Sequence, residues 1–184
     1  MSSFMNIRIW IDTTKYMILS FFIISIQILP LPIIQQEILW PDLLFLATSS
    51  WLIRRPDVLP MFIIFLIHIL SDVILLRPIG LWSGLSLVVF VFINWRISRT
   101  KAIFKFGQEL VFVMSLSTLL IITNMLFHYI FRIINPPLTM ILLQLTFTLI
   151  IYPLVIFFLH YVIGVRHVRH IDIMNRGQGR VKTL

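Results

Sequence analysis

The stretch Phe65–Gly84, FLIHILSDVILLRPIGLWSG, places a histidine and an aspartate four residues apart in an apolar run, ends that run at Arg77-Pro78 and starts another. Its reading depends on the solvent around it. Of 184 residues, 59% are hydrophobic and 12% charged, against about 45–50% and about 25% for a soluble domain. With a mean hydropathy of +1.01 and apolar runs near span length recurring along the chain, the composition predicts one polytopic helical membrane domain over residues 1–184. The absence of cysteine excludes disulfides, thiol catalysis and cysteine-ligated zinc. The first apolar run has no small-residue cleavage site and is followed by others, so it reads as a retained span rather than a signal peptide.

Working outward from Phe65–Gly84, six spans are expected, over 16–34, 40–53, 58–76, 79–95, 109–131 and 138–161, followed by a basic tail, 164–184. The second is short: about 20 Å of helix against a hydrocarbon core of about 30 Å. Basic residues argue that it crosses. With the amino terminus cytoplasmic and six crossings, Arg8, Lys15, Arg54, Arg55, Arg96, Arg99, Lys101, Lys105, Arg166, Arg169, Arg176, Arg180 and Lys182 share the cytoplasmic side, and only Arg77 and Arg132 face out. That is the asymmetry of the positive-inside rule. The net charge of +8 therefore implies orientation and contact with anionic lipid headgroups rather than nucleic acid. The segment Arg96–Gln108 alternates basic and apolar residues and is expected to lie along the headgroups.

A carboxylate inside a span costs roughly 2.5–3.5 kcal/mol on insertion scales, so Asp72 should face the bundle and find a partner or be protonated. Helical spacing puts His68, Ser71 and Asp72 on one face. Candidate partners are Arg77, at the end of the same span, and His128 or Arg132 on the fifth, whose polar stripe also includes Asn124. Three readings stay open: a polar clamp between helices, a proton or ligand site, and a poorly paired, protonated acid with no special role. Gly80 and Gly84 form a G-x-x-x-G that predicts close approach of a neighbouring backbone at the start of the fourth span. Together these residues predict a tight hairpin. Thr48, Ser49, Ser50, Gln144 and Thr148 are expected to make interhelical hydrogen bonds, and His167, Arg169 and His170 to form a basic juxtamembrane patch rather than a metal site.

No zinc helix, P-loop, dinucleotide fingerprint or intramembrane-protease serine motif is present, so no catalytic residue, metal or cofactor is assigned. From Ile38 to Gly84, however, the order of features resembles the rod shape-determining MreD family. The resemblance rests on Trp40-Pro41-Asp42-Leu43-Leu44 opening the second span, on Asp72 in the third followed by Pro78-Ile79-Gly80-Leu81, and on IQILPLP (Ile26–Pro32) at the exit of the first. Phe62, Phe65 and Leu66 stand where family members often carry glycines. The resemblance implies an all-α, six-helix inner-membrane fold with both termini cytoplasmic, similar to the substrate-binding subunits of energy-coupling-factor transporters. It also implies a noncatalytic subunit of the bacterial elongation machinery that partners MreC, near MreB and the cell-wall synthases. The alternatives are a vitamin-type transporter subunit and a proton-coupled carrier. Against the former, the first span lacks the alanine surface such subunits use, the only alanines being Ala47 and Ala102.

Overall fold

The computed structural model describes residues 2–28, 42–56, 59–100, 106–131 and 137–161. Trp40, Pro41 and Arg132, and the tail with His167, Arg169 and His170, lie outside them. The described residues form six helices and no strand: α1 (Ser2–Ile28), α2 (Leu43–Arg54), α3 (Met61–Ile74), α4 (Leu81–Thr100), α5 (Phe106–Ile130) and α6 (Leu138–Tyr161). Four contain stretches long and apolar enough to cross a membrane: Trp10–Ile28, Leu81–Arg99, Phe106–Ile130 and Thr139–Leu159. The helices α2 and α3 are shorter, about 18 and 21 Å by rise per residue.

Local chemistry sets these boundaries. α2 begins at Asp42, whose Oδ1 accepts the Phe45 N–H at 3.0 Å, an N-cap that satisfies one of the free donors of a first turn. It stops before Pro56. α3 starts after Pro60, whose φ of −62° and ψ of 126° are extended, and it ends in a Schellman motif. There the Arg77 N–H reaches the Asp72 carbonyl at 3.0 Å and the Leu76 N–H reaches that of Val73 at 3.4 Å, with Leu76 left-handed at φ 54°. These two stops make α3 shorter than the expected 58–76. α4 runs past the expected end at Trp95. Its last turns are covered by aromatic rings: the Arg99 guanidinium lies 4.9 Å from the Trp95 ring centroid and that of Arg96 lies 5.5 Å from Phe112 on α5. Long basic side chains laid on rings extend the helix where a polar connection was expected.

Every residue of α2 from Leu44 to Arg54 is buried. The other helices are arranged around it: α2 packs on α1, α4, α5 and α6, while α3 closes against α1 and α4, α4 against α5, and α5 against α6. Phe45 of α2 stacks on Phe90 of α4 at 5.4 Å between centroids, and Trp51 meets Tyr16 of α1 edge-on at 5.7 Å. The Thr48 hydroxyl donates to the Leu44 carbonyl, so the 2.8 Å contact with Tyr16 is a bond donated by the tyrosine. The outer helices bury one stripe each, as α4 does with Ser83, Ser86, Phe90, Ile93 and Ile97. Their other faces are also apolar, as with Leu119, Ile122 and Leu126 on α5, so lipid rather than water suits them.

Candidate functional site

The buried charges gather at the two ends of α2. At its amino-terminal end, Asp42 joins three elements: Oδ1 caps α2, while Oδ2 accepts from Arg77 Nη1 at 3.2 Å and from the indole N–H of Trp82. The Arg77 guanidinium also lies 5.4 Å from the Trp82 ring centroid. A planar cation thus meets both a carboxylate and an aromatic face, contacts that suit arginine better than lysine.

Asp72 belongs to the same end, but its partners are not the side chains expected. Its Oδ2 accepts the backbone N–H of Gly80 at 3.2 Å and of Ser83 at 3.1 Å. The acid at the end of α3 thus caps the first turn of α4, where unsatisfied donors and the helix dipole favour negative charge. Its own carbonyl meanwhile closes the α3 Schellman motif through Arg77 N–H. One residue therefore fixes both sides of the turn. Arg77 pairs with Asp42, and Arg132 lies outside the described residues. His128 Nδ1 makes no hydrogen bond among the described residues, and Asn124 is half-buried on α5.

The glycines act differently from the expected notch. A Cβ built on Gly80 or Gly84 would meet nothing within 4 Å among the described residues, so no neighbouring backbone uses the space. Gly80 is needed for conformation, since its φ of +85° lies where side chains are disfavoured and aims its N–H at Asp72. His68, Ser71 and Asp72 do share the buried face of α3, as helical spacing predicts.

The carboxyl-terminal end of α2 carries a second network that sequence reasoning missed. Arg54 meets Glu109 of α5 in a fork, Nη1 to Oε1 at 2.8 Å and Nη2 to Oε2 at 3.2 Å. It also donates to the Ser50 carbonyl at 3.0 Å, and the Tyr152 hydroxyl of α6 donates to Glu109 Oε1 at 3.0 Å. Beside it, Arg55 pairs with Asp12 of α1 at 2.5 Å, and Lys15 lies 3.8 Å from the same carboxylate. Two arginines at the negative end of a helix match its dipole. The signal in the sequence is Arg54-Arg55 against Glu109, the acid that opens the fifth expected span, whereas the positive-inside argument uses the two arginines for orientation alone.

The bonds of both networks join one helix or turn to another. No group of three or more potential metal-ligating residues occurs among the described residues. His68, Asp72, Ser83 and Ser86 offer the residue types of a hydrolytic triad. Yet the histidine Nδ1 bonds to the Ile64 carbonyl at 2.9 Å instead of to the acid, and both serines are wholly buried, so these four side chains do not form the bonded array of a triad. No protein-family model, curated protein or solved structure matches the chain.

Proposed function

We propose that this chain is a noncatalytic scaffold of the bacterial inner membrane, crossing it six times with both termini cytoplasmic, which partners MreC in the elongation complex and supports lateral peptidoglycan synthesis near MreB and the wall synthases. The observation that carries this reading is the meeting of Asp42, Arg77 and Trp82 in one bonded cluster, with Asp72 and Gly80 in the adjoining turn. Asp42, Asp72 and Gly80 are among the residues on which the MreD resemblance rests, and the bonds give them a shared architectural task. They shape one end of the bundle and leave that surface fixed for a partner's membrane helix. With little mass outside the helices, the partner is bound helix to helix and at the headgroups, through packing and polar contacts.

The test is depletion of the protein in its own bacterium, with microscopy and co-purification from the same cells. Rounding of rods, together with recovery of wall-growth proteins, is the expected outcome. Normal rods combined with a nutrient requirement would refute the scaffold in favour of a transporter subunit.

A further inference from the structure

Between α3 and α4 lies a row of buried polar atoms outside the bonded networks at the ends of α2. Asp72 Oδ1, His68 Nε2, Ser83 Oγ and Ser86 Oγ make no hydrogen bond with any described residue, and their side chains are 0–1% exposed. They share one seam. Asp72 faces Ser83 through the 3.1 Å bond from the Ser83 N–H. One turn back along α3, the His68 ring meets Phe90 edge-on at 4.9 Å between centroids. Ser86 lies on the same buried stripe of α4, between Ser83 and Phe90.

Buried polar atoms in folded proteins are almost always paired, with protein or with ordered water. Here the protonation pattern defines the partner. Because His68 Nδ1 faces a carbonyl, which only accepts, that nitrogen carries the proton, and Nε2 of the neutral ring offers a lone pair. Asp72 Oδ1 is likewise an acceptor, whereas Ser83 and Ser86 each have a hydroxyl proton to give. The seam thus presents two acceptors and two donors. We propose that it is a binding site for one water molecule, which donates to Asp72 Oδ1 and His68 Nε2 and accepts from the hydroxyls of Ser83 and Ser86. A water uses all four of its hydrogen-bonding positions there, as buried waters with two to four polar partners do. A sodium ion would find three oxygens and a nitrogen, fewer and softer ligands than hard cations take. The bound water stitches α3 to α4 and joins His68 to Asp72 in one hydrogen-bonded path.

The test combines direct density with the sign of a stability change. In a high-resolution map of the unmodified chain in a lipid nanodisc, a peak within hydrogen-bond distance of the four atoms is expected; an empty seam overturns the proposal. In thermal unfolding of the same preparation, Ser86→Ala removes a partner of the water and should lower the midpoint by about 3 °C or more. Its effect should be non-additive with that of His68→Gln, because both side chains bond the same water. A midpoint unchanged or raised by Ser86→Ala would mean that the hydroxyl was an unpaired liability, and would refute the site. A saturable stabilisation by sodium chloride over choline chloride at equal ionic strength would identify a cation and overturn water.

Discussion

Replacing Asp72 with leucine isolates the question its position raises, because two large terms oppose each other. The carboxylate carries a desolvation cost, roughly 2.5–3.5 kcal/mol on insertion scales, which leucine would abolish. Against this, Oδ2 holds the N–H groups of Gly80 and Ser83 at 3.2 and 3.1 Å. Losing a capping side chain costs about 0.5–2 kcal/mol, and stranding a buried donor costs about 1–3 kcal/mol more. The insertion cost arises on entry to the membrane, and in the folded bundle the α4 dipole and two charge-assisted bonds already offset it. Unfolding within the membrane therefore compares capped with uncapped α4, and the cap dominates. Asp72→Leu should destabilise by about 2–4 kcal/mol, which for a chain of this size is roughly 5–15 °C in midpoint. Asp72→Asn keeps an acceptor oxygen but loses the charge–dipole attraction, about 0.3–1 kcal/mol and up to about 2 kcal/mol in buried geometry, so it should fall between. The assay is fluorescence-detected size exclusion after a temperature ramp on detergent-solubilised protein. An Asp72→Leu variant as stable as the parent, or more so, would refute the capping role and restore the buried charge as a net burden.

The turn itself offers a paired test: Leu76, left-handed at φ 54° and 93% exposed, should gain about 0.5–1 kcal/mol as Leu76→Gly, whereas Gly80→Ala should lose about 1 kcal/mol through backbone strain alone, since its Cβ would touch nothing. Both shifts are read from the same melting curves, and a Gly80→Ala variant of parental stability would contradict the left-handed turn. At the other end of α2, Arg54→Ala and Glu109→Ala should each cost about 3–5 kcal/mol by leaving the partner charge buried, while the double change to Met and Leu should recover most of that loss; additive losses would refute direct coupling. Since the chain lacks cysteine, single cysteines near residues 2 and 183 report sidedness without background, and six crossings require membrane-impermeant maleimide to reach both from the cytoplasmic side. Labelling of residue 183 from the periplasm would break the six-span reading.

The presence of six helices is legible because apolar length and hydropathy are local properties, although α1 begins at Ser2 rather than at the expected 16. α6 matches its expected range of 138–161, and the buried trio His68, Ser71 and Asp72 follows from spacing on one helix. The partners were not legible, because a sequence shows side chains far better than it shows free backbone donors. Asp72 was matched to cations at similar depth, whereas its carboxylate bonds instead to two peptide N–H groups exposed by the start of α4, eight and eleven residues on. The glycines misled for a related reason. G-x-x-x-G predicts helix contact only if both residues lie within a packed helix, and Gly80 precedes α4 in a left-handed turn.

The short second helix explains why the ionic groups lie where they do. A helix of about 18 Å whose end residues Asp42 and Arg54 are buried leaves its free N–H and C=O groups little access to bulk water. Asp42 supplies the acceptor at one end, and Arg54 supplies a donor to the Ser50 carbonyl at the other. Each of these charges then needs its own counter-charge, which Arg77 and Glu109 provide from the α3–α4 turn and α5. The ion pairs thus follow from burying both ends of α2, and their stability is coupled to the packing around it. Truncating a buried aromatic of α2, such as Phe45, should therefore weaken both networks together, although its side chain is a member of neither ion pair.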